Sequence, residues 1–97
     1  MKEKLVVVAL VNANKGSEDL LRQGLMTLVE VAPKEPGFVQ YDLHESLENP
    51  GQFLFYEIWE SEDALNVHNN TETMKAFGAK AGPWIQSVTL SKYKRLH

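Results

Sequence analysis

An α+β fold with one four-stranded antiparallel sheet is predicted by three observations. Four stretches have strand character: Leu5–Val11, about Phe38–His44, Phe53–Trp59 and Trp84–Tyr93. Two others carry apolar residues at helical spacing, each opening on a serine followed by acids. Turn signals separate them: Lys15-Gly16, Pro36-Gly37, Asn49-Pro50-Gly51 and Gly82-Pro83. The resulting order, β-α-β-β-α-β, is the ferredoxin-like arrangement with both helices on one sheet face, and residues 1–97 read as a single domain.

The first strand is apolar on both parities: Leu5, Val7, Ala9 and Val11 on one side, Val6, Val8 and Leu10 on the other. Ser17 is the expected N-cap of the first helix, with Glu18 and Asp19 where the helix dipole favours negative charge. Leu21, Leu25 and Leu28 form its buried stripe, widened by Leu20 and Val29, and Pro33 with Pro36-Gly37 stops it. The second strand is apolar at Val39, Tyr41 and Leu43, and Asn49-Pro50-Gly51 joins it to the third as a hairpin. Ser61 caps the next helix, which breaks at Asn69-Asn70 and restarts at Thr71. Met74 and Phe77 give the second piece its apolar side. Helices cover one sheet face only, so the other face needs a partner, and a second copy of the sheet is the simplest one.

Composition narrows the function classes. The net charge is −3 and the basic tail Lys92-Tyr93-Lys94-Arg95 is too small a patch for nucleic acid. With no cysteine, there is no disulfide, thiolate metal site or thiol nucleophile. No stretch approaches the roughly 20 apolar residues of a membrane span, and a cytoplasmic protein is expected. Gly16, Gly37 and Gly82 stand singly, so neither a phosphate-cradling loop nor a dinucleotide fingerprint is present.

The third strand raises the chemical question. Alternation puts Phe53, Phe55, Glu57 and Trp59 on one face. A carboxylate between aromatic rings is desolvated and can act as a general acid or base; equally, Glu57 can sit at a rim, bonded to a backbone amide or a cation. Trp59 can wall an aromatic pocket or simply pack. His68 can relay protons near neutrality or serve as a favourable cation at a helix C-terminus. Asn12 can orient a substrate oxygen or belong to the following turn, and Tyr41 can offer a hydroxyl or pack. The three histidines lack ligand spacing, so no metal site is expected.

Glu35-Pro36-Gly37, Tyr41, Tyr56-Glu57-Ile58-Trp59-Glu60-Ser61, Ala64, His68 and Phe77 together resemble the antibiotic biosynthesis monooxygenase (ABM) family over nearly the whole chain. The resemblance implies a homodimer whose two sheets pack into a dimeric α/β barrel, with a pocket in each subunit between sheet and helices. It implies oxygenation of a small quinol or polycyclic phenol by molecular oxygen with no cofactor, neither metal nor flavin. By resemblance Trp59 walls the aromatic substrate and His68 and Glu57 move or orient its proton. Tyr41, Asn12, Phe77 and Phe55 complete the expected substrate-binding set. Many relatives carry a second histidine five residues after the first, where this chain has Thr73. Two alternatives therefore stand beside the oxygenase: an isomerase of a small phosphorylated signalling metabolite, and a non-catalytic ligand-binding dimer. A haem-degrading branch is disfavoured, because its asparagine would fall at Ala9 and no histidine lies between His68 and His97.

Overall fold

A computed structural model describes residues 3–97. The chain runs β1 (Leu5–Ala13), α1 (Glu18–Val31), β2 (Phe38–Glu45), β3 (Gln52–Trp59), α2 (Glu62–Asn69), α3 (Glu72–Ala81) and β4 (Ile85–Lys94). Single 3-10 turns at Ala32–Lys34 and Gly82–Trp84 follow α1 and α3. The strands form one antiparallel sheet in the order β2-β3-β1-β4. The crossovers through α1 and through α2–α3 lay the helices on the same face, as a right-handed connection requires.

The inner face carries Val7, Ala9 and Val11 from β1, Tyr41 from β2, and Phe53, Phe55, Glu57 and Trp59 from β3, all buried. Leu21, Leu25 and Leu28 of α1 and Leu65 of α2 close over them. Each such leucine removed from water stabilises the domain by about 1.5–3 kcal/mol, so the helix stripe and the strand alternation support one core. On the other face Val6, Val8, Leu10, Leu54, Tyr56 and Ile58 are only half-buried, and no described element covers them.

Three local expectations change. Ser17 makes no side-chain cap; Glu18 reaches back instead and accepts the Gly16 N–H at 2.9 Å. Leu20 lies 51% exposed rather than in the buried stripe. Trp84 belongs to the 3-10 turn before β4, where its ring meets the face of α1 at Gly24. Elsewhere the local chemistry is as expected: Ser61 Oγ accepts the Ala64 N–H at 3.1 Å, and Thr71 Oγ1 accepts that of Met74 at 3.2 Å, so the Asn69-Asn70 break is capped on its far side.

Two features place the site. Gly37 and Gly51 adopt φ of +79° and +80°, conformations open to glycine, at the tight entrances to β2 and β3. Gly37 O also accepts the Glu60 N–H at 2.8 Å, tying the start of β2 to the end of β3. Beside this tie the ladder slips by one residue between Phe38 and Gln40. The bulge leaves Val39 unpaired and turns Phe38 inward, where its ring meets Trp59 edge-on at 6.2 Å.

Candidate active site

Two strands, one helix and a connecting link bring five polar or aromatic side chains together. Tyr41 and Glu57 are directly opposed in the β2–β3 ladder, and Trp59 follows Glu57 on the same face. His68 enters from the last turn of α2, and Glu35 from the link between α1 and β2. The Trp59 indole N–H donates to Glu57 Oε1 at 2.9 Å. His68 Nδ1 lies 2.5 Å from Glu35 Oε1, the His68 side chain being buried and that of Glu35 largely so. With a carboxylate as partner, Nδ1 carries the proton and donates it, which leaves the lone pair on Nε2. The imidazole stacks on Trp59 at 4.5 Å and meets the Tyr41 ring edge-on at 5.3 Å. Among the described residues no buried side-chain nitrogen or oxygen lacks a partner.

Burial pushes the Glu57 carboxyl above the usual carboxylate range, and the negative charge of Glu35 adds to that; the Trp59 hydrogen bond, and His68 when its ring is protonated, oppose it. Burial likewise raises Tyr41 well beyond an ordinary phenol, reinforced by Glu57 and Glu35, so its hydroxyl stays protonated. The two carboxyls therefore differ in kind. Glu35 is the hydrogen-bond partner of an imidazole, whereas burial biases Glu57 toward its neutral form.

This group borders a cavity of about 240 Å³ between the sheet and the helices. Tyr41, Phe55, Glu57 and His68 face it from one side, Leu25, Leu28, Met74 and Phe77 from the other. Among the described residues its lining contains no lysine or arginine. A larger surface hollow of about 510 Å³ lies between α1 and β2, where Arg22 is already paired with Glu45 and Asp19.

The predicted residues thus fall into three groups. Tyr41, Phe55, Glu57, His68 and Phe77 line one cavity. Trp59 is not part of its wall; fully buried, it stands behind His68 and Tyr41 and holds Glu57 by its N–H. Asn12 lies on the helix-free face, donating to Ser87 Oγ at 3.1 Å and accepting from the Gln52 amide at 3.1 Å, and does not reach the cavity. The placement follows from parity: Asn12 shares a face with Leu10, not with Val11. Glu35 was not among the predicted site residues, although Glu35-Pro36-Gly37 belongs to the family resemblance. Its only local signal is a carboxylate held beside a proline and a glycine that must turn the chain inward. Thr73, at the position of the second family histidine, lines a groove outside the cavity.

The chain is thus a helix-covered antiparallel sheet with a carboxylate–imidazole pair beside a mainly apolar cavity. The sequence profile described as antibiotic biosynthesis monooxygenase matches residues 4–80, and the chain belongs to that family. The crystal structure of PA3566 from Pseudomonas aeruginosa is 31% identical, with a TM-score of 0.94, covering 100% of this chain and 98% of that one. A crystal structure of an antibiotic biosynthesis monooxygenase is 26% identical with a TM-score of 0.88, covering 96% of this chain and 99% of the other. A Bacillus subtilis protein named "Putative monooxygenase YcnE" is 37% identical over 54 residues, 56% of this chain and 57% of that protein. The matched stretch in "Uncharacterized protein sll1783" from Synechocystis, 33% identical over 55 residues, is 57% of this chain and 37% of that protein. No helix among the described residues is long and apolar enough to cross a membrane.

Proposed function

We propose that the protein is a monooxygenase that oxidises a small quinol or phenol with molecular oxygen, the electrons coming from the substrate and no cofactor taking part. The observation that carries this reading is that His68 and Glu57 face one cavity whose remaining lining is mainly apolar. His68 Nε2 takes the proton of a substrate hydroxyl, and the imidazolium is stabilised by Glu35 across the 2.5 Å bond. Glu57, whose carboxyl burial biases toward the protonated form, donates a hydrogen bond to the other developing oxygen charge when it carries its proton. The electron-rich ring then reduces oxygen and forms a carbon–oxygen bond to it. Protonation gives a hydroperoxide, which loses water. One oxygen atom stays on the ring, the second leaves in water, and the ring supplies all four electrons.

The lining favours this over the isomerase, since a phosphorylated substrate needs cations that the cavity wall does not supply. The half-buried apolar stripe on the helix-free face supports a homodimer formed sheet to sheet. Such a dimer leaves the cavity, on the opposite face, intact.

Oxygen uptake with reduced naphthoquinols and benzoquinols tests the proposal, corrected for autoxidation with heat-killed protein. Uptake that falls at least about a hundredfold in folded His68→Ala, the loss expected of a general base, supports it. No uptake above background from folded wild-type dimer overturns it and leaves the ligand-binding alternative.

A further inference from the structure

The cavity is not the only hollow that Phe77 touches. Outside it, between α1 and α3, runs a groove of about 490 Å³ floored by Leu20, Gly24, Leu28, Phe77 and Trp84, with Lys80 at its side. Leu28 and Phe77 line both spaces. Along α3 the neighbours divide: Met74 and Gly78 border the cavity, Thr73, Ala76 and Lys80 the groove. The Phe77 ring, itself half-buried, therefore stands as a wall between cavity and groove.

What supports that wall is an absence. Gly24 sits in the middle of α1, where glycine costs about 1 kcal/mol relative to alanine. A Cβ there would lie 3.0 Å from Phe77 Cε1 and 3.2 Å from Trp84 Cζ3. Gly24 thus makes room for the Phe77 ring to lie back against α1, wedged beside Trp84. A side chain at position 24 therefore requires the Phe77 or Trp84 ring to give by a few tenths of an ångström.

We infer that Phe77, seated on Gly24, is the specificity-determining partition of the site: it limits the cavity to one or two fused aromatic rings and closes it off from the groove. This rests on the cavity being an aromatic site. The size limit follows from volume. A buried cavity of about 150 Å³ accepts benzene, so about 240 Å³ takes a substituted single ring or a bicycle but not four fused rings. With the partition removed, cavity and groove become one space open to a longer flat ligand.

Binding of two stable hydroxyarenes tests this without turnover: 2-naphthol by calorimetry and 1-hydroxypyrene by fluorescence anisotropy. Both are titrated into wild type, Phe77→Ala, Phe77→Leu and Gly24→Ala after thermal unfolding has shown each variant folded. Wild type should bind 2-naphthol and discriminate against 1-hydroxypyrene. Truncating Phe77 should reduce that discrimination at least about tenfold, the low end of what one misfit apolar group costs in a pocket. Gly24→Ala should weaken 2-naphthol binding although alanine is the better helix former. If Phe77→Ala does not fold, Phe77→Leu carries the same comparison with a smaller change. Unchanged discrimination in folded truncation variants that still bind 2-naphthol overturns the partition alone. Failure of wild type and every variant to bind 2-naphthol overturns the aromatic reading of the cavity, and the partition with it.

Discussion

Trp59→Phe removes one N–H donor and part of a ring from the buried contact with Glu57, and its consequences can be worked through. Roughly 40 Å³ of lost side-chain volume, at about 24 cal/mol per Å³ of cavity, costs about 1 kcal/mol. The lost hydrogen bond costs about 0.5–1.5 kcal/mol while Glu57 is protonated and about 1.5–3 kcal/mol once it is ionised. The predicted destabilisation is therefore about 1.5–2.5 kcal/mol while Glu57 is protonated and about 2.5–4 kcal/mol once it is ionised. The sign comes from linkage. Burial raises the folded-state pKa of Glu57 above its unfolded value, so the contribution of this group is fully present below the ordinary carboxylate range. It is lost as pH rises through the folded-state pKa. The Trp59 N–H works against that rise, so removing it lifts the folded-state pKa further and prolongs the loss. Urea unfolding followed by circular dichroism at pH 4, 6 and 8, at fixed protein concentration, measures the gap between wild type and variant. It should widen with pH, and the widening should vanish when both proteins carry Glu57→Gln. A gap that stays flat or narrows would refute the assignment of Glu57 as a buried carboxyl held by the indole.

Two further predictions concern the supports of the site. Gly37→Ala should destabilise the domain by at least about 2 kcal/mol, because alanine resists positive φ and its Cβ would collide with Ala64 at the start of α2; a thermal melt within about a degree of wild type would contradict it. Glu35→Ala should cost about 1–3 kcal/mol by leaving the buried His68 Nδ1 without its acceptor. Urea unfolding should show that cost shrinking in a His68→Phe background, and an equal cost in both would mean that the pair is not coupled.

Recognition of Glu57 as a candidate depended on two-residue alternation, which places it with Phe55 and Trp59 whatever the rest of the fold does. The same rule put Asn12 with Leu10, and thereby away from the cavity once the helices had chosen the Val11 side. Which face the helices cover is a crossover decision and is not written in any one strand. His68 shows the limit more sharply. Its position at the end of α2 suits an exposed cation as well as a buried base, and only the approach of Glu35, 33 residues earlier, decides between them.

Strand and helix order, the turns at Gly16, Gly37 and Gly51, the serine cap of α2 and the break at Asn69-Asn70 were determined by residue chemistry acting over a few positions. Local sterics and capping require no distant partner. The bulge at Val39 that turns Phe38 inward, the anchoring of His68 by Glu35, the retreat of Trp59 behind the cavity and the place of Phe77 against Gly24 were decided by tertiary structure. Each depends on surfaces from separate elements meeting at packing distance, and the spacing of residues along one chain does not encode which surfaces will meet.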